Sequence, residues 1–190
     1  VPGYDILIRN LRKDIELFRE ENIPLFTEIS LEQQKYNQIS GAMTVLFRGQ
    51  ELTLQQAAVL LLEPDRALRE EVYRLITLRR LQDREQLDAL FTKLVRLRHQ
   101  VAVHAGFKNF RDYMFSALGR FDYTPADCFA FHDAVQQHVV PLLTSLMEER
   151  RQMMNLTRLR PWDKAVDALG RPPLRAFKDG TDLTEKGIRC

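Results

Sequence analysis

Between Asp65 and Ala105 the chain carries neither glycine nor proline, and helix-favouring residues dominate. A stretch of this length is far longer than an ordinary strand and commits the middle of the chain to helix. Within it Leu87, Leu90, Leu94, Leu97 and Val101 repeat at a/d-like spacing, an apolar seam for a partner helix. Upstream, Leu68, Val72, Leu75 and Ile76 form a second stripe, and the two fall out of phase between Arg79 and Asp83. The stretch is therefore either two helices broken near Asp83 or one long helix that changes partners there. Pairs such as Arg66 with Glu70 add only about a few tenths of a kcal/mol each.

The flanking segments read as shorter elements. Tyr4, Ile8, Leu11, Ile15 and Phe18 step by four and three, which predicts an amphipathic helix ending near Glu21. Asn22 and Pro24 predict a cap and a first turn for a second helix, running to about Ile39 and stopped by Gly41. Met43, Val45 and Phe47 alternate with Thr44, Leu46 and Arg48, and Gly49 sits at a turn before Glu51 to Thr53, so a small β-hairpin is expected near residues 43–53. Two strands alone are marginal and must lean on other elements. Thr53 with Gln56 is a capping-box pattern that opens a helix to about Glu63.

Gly106 ends the long helical run, and Asn109 with Asp112 opens a short helix to about Leu118, closed by Gly119. Thr124, Pro125 and Asp127 supply cap, first-turn proline and N-terminal acid for a helix to about Asn155. Pro141 lies inside it and predicts a kink about four residues upstream. After Leu156 the sequence reads as an ordered loop or extended segment, and DGTDLTEKGIRC as the opening of another helix. The class is mainly α with one small hairpin. Along the chain it divides into N-terminal helices (1–40), a hairpin with a helical wall (41–155) and an extended connector (156–190).

The 190 residues are 45% apolar, enough for a core, and 28% charged with a net charge of +2. That balance argues against a dedicated nucleic-acid or membrane-surface binder. No apolar run approaches the roughly 20 residues of a membrane span. The N-terminus lacks the pattern of a secretory signal. Two cysteines, Cys128 and Cys190, fit a reducing cytoplasm. The start at Val1 and the helical opening at the other end lead to the expectation of a fragment of a longer chain.

The segment from Leu97 to Leu143 holds all four histidines and Cys128. His99 and His104 are five apart, which separates them by about 140° around a helix, and Gln100 stands where a zinc peptidase motif has glutamate. Neither point suits a metal site. His132 and His138 also fall on different faces. Cys128 and His132 share a face, but two ligands do not hold structural zinc, which takes four, and a nucleophilic pair there lacks oxyanion donors. The expectation is a buried cysteine beside a packed histidine. Phe107, Phe110, Tyr113, Phe115, Phe121, Tyr123, Phe129 and Phe131 read as the hub of a helical core, each fully buried ring contributing about 1.5–3 kcal/mol, with a pocket wall or base-stacking platform as the functional alternative. Arg79, Arg80 and Arg84 read as a solvated helix face.

Several runs carry a family likeness. GAMTVLFRGQELTLQQA (Gly41 to Ala57), PDRALREE (Pro64 to Glu71), RRLQDREQLDALF, AGFKNFRDYMFSALGRFDYTPADCFAFHDAV and LRPWDKAVDALGRPPL resemble bacterial oligoendopeptidases of the F type, relatives of thimet oligopeptidase. The resemblance extends, with gaps, from about Tyr4 to Cys190. It implies the helical lobe of a larger two-lobed zinc metallopeptidase that cleaves short peptides in a deep channel. In that family two histidines of an HExxH helix and a downstream glutamate hold the zinc. No HExxH occurs in this sequence, so no catalytic or metal-binding residue is assigned to any position, and no substrate-contacting residue is assigned either. The expectation is an N-terminal, non-catalytic part of a cytoplasmic zinc endopeptidase that is inactive alone and holds no zinc itself. Its partners would be short peptides and the rest of its own chain, with no nucleic acid and no membrane. The rival reading is a helical interaction or scaffold module that binds through the aromatic surface from Phe107 to Phe131. Nucleic-acid binding through the arginine faces fits the near-neutral charge less well.

Overall fold

A computed structural model describes residues 3–172 and 176–188, so Val1, Cys190 and the Pro173 and Leu174 of the last family-like run lie outside the described residues. The chain divides into two units, Val1–Met43 with Arg80–Leu143, and Thr44–Arg79 with Thr144–Cys190. It is mainly helical with one two-stranded antiparallel sheet, as the patterning requires.

In the first unit, α2 (Asn22–Gly41) lies along α5 (Arg84–His104), and α6 (Phe110–Ala117) closes one end of the pair. From Leu90 onward the seam does what its spacing predicts, whereas Leu87 is only half-buried. Leu90, Leu94, Leu97 and Val101 are buried with Ile29, Ala102, Ala105 and Tyr113, and Leu17, Leu25, Ile39 and Met114 pack around them. α6 starts on an Asn109 cap that accepts the Asp112 N–H. Gly119, at φ +66°, ends it in the left-handed region that favours glycine.

Two expectations are corrected at α1 (Asp5–Leu17). The helix stops four residues before Glu21, because Phe18 turns extended. Asn22 caps nothing. It is fully buried, and its amide Nδ2 donates to the Val101 carbonyl (3.1 Å). α1 also buries no residue, and its apolar stripe stays exposed.

α7 (Pro125–Ala134) begins at the expected Thr124 cap and first-turn Pro125, and Asp127 closes a reciprocal capping box with Thr124. A π-helical turn at Val135–Val139 follows, before α8 (Val140–Met153). The turn sits about where a kink is expected. Pro141 has no N–H and its ring crowds the carbonyl four residues back. Widening the helix there, with the Val140 N–H donating to the Val135 carbonyl, relieves the clash.

The second unit opens on the hairpin of β1 (Thr44–Phe47) and β2 (Gln50–Thr53), with Thr44 opposite Thr53 and Phe47 opposite Gln50. Arg48 and Gly49 both take positive φ (49° and 81°), as a two-residue turn matched to strand twist demands. The hairpin leans on α3 (Leu54–Val59), which carries the complete Thr53–Gln56 capping box and runs on as a 3-10 turn to Leu62. α4 (Arg66–Gln82) ends just before Asp83, so the long helical stretch is two helices and not one. After Leu156 the chain forms a 3-10 turn, Pro161–Asp163, and then α9 (Gly180–Ile188).

Candidate functional site

The histidines are dispersed. His99 is exposed on α5. His104, one turn on, faces the buried Asn22, whose Oδ1 lies 2.9 Å from its Nδ1. Asn22 Nδ2 is already a donor to Val101, so the network assigns the proton to His104 Nδ1. His138 is exposed in the π turn, and His132 is exposed beside the rings of Phe129 and Phe131. Cys128 is half-buried. The expectation of a buried cysteine beside a packed histidine is therefore corrected. None of the residues of α7 is buried, although the Arg111 guanidinium of α6 lies 5.9 Å from the centre of the Phe129 ring. Among the described residues no group of three or more His, Cys, Asp or Glu is placed to hold a metal ion.

The aromatic cluster separates into two populations. Tyr113 is 7% exposed, with Phe107 edge-on at 5.7 Å and Phe110 stacked at 5.8 Å, and these three belong to the α2–α5–α6 core. Phe115 packs edge-on against Tyr123. Phe129 and Phe131 are exposed, at 54% and 67%, the first beside the Arg111 guanidinium. Offset and edge-on ring pairs add about 0.5–1.5 kcal/mol beyond burial, so the hub reading holds for the first group and fails for the second. Val139, Val140, Leu142 and Leu143, just beyond α7, are exposed as well. α7 and the π turn thus carry exposed apolar side chains, as α1 does.

A second open surface lies between α2 and α5, a groove of about 690 Å³ with Tyr36, Leu87, Phe91 and Leu94 among its apolar lining and Arg98 at its edge. Arg80 is exposed, and Arg84 is exposed with a long pair to Asp88 at 3.5 Å, so these two are solvated as expected, whereas Arg79 is half-buried. Among the described residues no helix is long and apolar enough to cross a membrane.

Sequence reasoning missed the most elaborate polar site in the molecule, which lies in the second unit. Asp163 is 0% exposed and Arg69 2%. Arg66 grips the Asp163 carboxylate with two bonds (Nε to Oδ1 3.0 Å, Nη2 to Oδ2 2.9 Å), and Arg69 Nη2 adds a third at 3.2 Å. The remaining donors of Arg69 go to the carbonyls of Trp162, Glu63 and Pro64. Asp163 also accepts the Arg160 N–H, and Arg150 donates to the carbonyls of Asp163 and Val166. Glu70 pairs with Arg74 at 2.6 Å, and not with Arg66 as the helix spacing suggests. The one sequence signal was two arginines three apart flanking an apolar stripe, where Arg69 falls on the buried side of α4 beside Val72 and Ile76.

Burial pushes the Asp163 carboxyl up, but the hydrogen bonds from Arg66, the Arg160 N–H and Arg69 outweigh it and hold the group below its ordinary value of 3.8. A carboxylate depressed on folding contributes stability that is complete above the unfolded value and lost as pH falls through the lower folded one. Acid titration should therefore lower the unfolding midpoint from about pH 4 downward, and Asp163→Asn should flatten that fall. An equally steep fall in the variant, followed by circular dichroism, would assign the acid sensitivity to other carboxylates. The chemistry of this knot is structural: Arg66, Arg69 and Arg150 tie the Arg160–Val166 loop to α4 and α8, and Arg69 also binds the carbonyls of Glu63 and Pro64 ahead of α4.

The family model described as peptidase family M3 matches residues 59–168. No curated protein matches the chain. A solved structure of an oligoendopeptidase F, 24% identical, superposes with a TM-score of 0.90 over 97% of this chain and 32% of its own. PZ peptidase A with an inhibitor gives 24% identity, a TM-score of 0.90 and coverage of 97% and 33%. An oligoendopeptidase F from Bacillus anthracis str. Ames gives 21%, 0.89, 98% and 34%. At these identities the likeness is one of fold, and the chain spans about a third of the length of the structures it matches.

Proposed function

Since the chain belongs to peptidase family M3, we propose that it is the non-catalytic helical part of a longer zinc-dependent oligopeptidase, forming wall and support of the channel in which short peptides are cut. The observation that carries this reading is a pairing of opposites. The family match covers residues 59–168, yet no HExxH occurs in the sequence and no metal-holding cluster exists among the described residues. The residues of this chain therefore do not fit a zinc site, and no bond-breaking step is assigned to them. Their part is steric. In one unit the α5 seam pins the helices, in the other the Asp163 knot does, each supplying wall for a narrow channel that admits only short, unfolded chains. The segment 156–190 is taken as the connector toward the catalytic region, and the protein as cytoplasmic.

The exposed Phe129 and Phe131 also suit the rival reading, a helical interaction module without catalysis. One experiment separates the two. The full-length protein should hydrolyse short fluorogenic peptides, lose that activity to a zinc chelator and regain it with added zinc, while residues 1–190 remain inactive. Hydrolysis by residues 1–190 would overturn the division of roles. Absence of zinc-restored hydrolysis from the full-length protein would favour the interaction module.

A further inference from the structure

α1 is amphipathic, but it sits on its unit with the wrong face inward. Its half-buried residues are Asn10, Lys13 and Leu17, and of these only Leu17 packs against the apolar core. Polar links hold it in that orientation. Lys13 Nζ donates to the Ala117 carbonyl (3.4 Å), Arg9 pairs with Asp122 (3.5 Å), and the Arg9 guanidinium lies 4.4 Å from the centre of the Phe121 ring. At about 100° per residue, the direction of Asn10, Lys13 and Leu17 lies roughly 150° from that of Tyr4, Ile8, Leu11 and Ile15. Most of the stripe therefore faces away from the first unit: Ile8, 37% exposed, shares a groove with Phe121, while Ile15 is 76% exposed.

We propose that this stripe, from Tyr4 through Leu7, Ile8 and Leu11 to Ile15, is an interface that an apolar segment of the same polypeptide, lying outside residues 1–190, covers. The inference rests on the reading of the chain as part of a longer protein. Two arguments choose this occupant over a second copy. The matched structures are about three times as long as this chain, which superposes on its share of them at a TM-score of 0.90. And the stripe is small: its five side chains, 37–76% exposed, present on the order of 400 Å² of accessible surface, against about 800 Å² per partner in a stable complex. A contact that small does not offset the loss of free motion when two molecules associate, whereas a segment of the same chain is already tethered.

Ile15→Ala in the full-length protein tests this by the sign of its effect. A solvent-facing helix position gains slightly from alanine, the better helix former, while a covered isoleucine loses its packing. The expected result is a lower urea midpoint and an unfolding constant raised roughly tenfold or more, in a protein whose mass by light scattering is one chain. An unchanged or higher midpoint would overturn the interface. A two-chain mass with a concentration-dependent shift would replace the tethered segment by a second copy. Peptide hydrolysis by the unmutated protein is read alongside. A destabilised Ile15→Ala with no zinc-restored hydrolysis supports this interface and overturns the peptidase reading, and hydrolysis with an unshifted variant does the reverse.

Discussion

Asp163→Ala should lower the free energy of unfolding by about 3–5 kcal/mol, the usual cost of breaking a buried ion pair by removing one partner. The carboxylate is fully buried and Arg69 nearly so, which leaves the Arg69 guanidinium short of its charge partner with little water to replace it. The Arg160 N–H loses its acceptor at the same time. Asp163→Asn keeps the shape and loses the charge, so its cost should fall between wild type and alanine. Arg66→Ala should cost least, because that side chain is partly in solvent and exposed pairs contribute only about 0–1 kcal/mol. Urea unfolding at neutral pH orders the three. A larger loss for Arg66→Ala than for Asp163→Ala would show that the knot works through the helix and not through the buried charge.

Tyr113→Ala should cost about 3–5 kcal/mol, as for other large rings removed from a core. Tyr113 is the ring at which α5 and α6 meet, with Phe107 and Phe110 against its two sides. Phe107→Ala should cost clearly less, since Phe107 is only half-buried at the rim. Denaturant unfolding with an unchanged m-value distinguishes lost packing from a changed unfolded state. A cost below about 1 kcal/mol for Tyr113→Ala would mean that the hub is not the core of this unit.

Tyr113 and Phe131 also show how far sequence reading goes. Both lie in one aromatic-rich stretch, and nothing within a few residues of either distinguishes a ring in a core from a ring in solvent. The outcome depends on whether another helix lies above, which is fixed by contacts distant along the chain. The same limit explains Cys128 and His132, placed correctly on one face of a helix but wrongly in a core.

What the amino-acid sequence determined by itself is whatever a single turn or a single periodicity decides. The Thr53–Gln56 and Thr124–Asp127 boxes, the Asn109 cap, the turn at Gly49, the disturbance ahead of Pro141 and the Leu90–Val101 seam all rest on groups within about one turn of each other, or on one repeating face. Only the tertiary structure decided that Asn22 is a buried link and not a cap, that Arg66 reaches Asp163 across 97 positions instead of Glu70 one turn away, and that α1 turns its apolar stripe outward. In each case a local preference worth a few tenths of a kcal/mol competes with a buried or multiply bonded contact worth several times more. The stronger partner is invisible until the chain has folded back on itself.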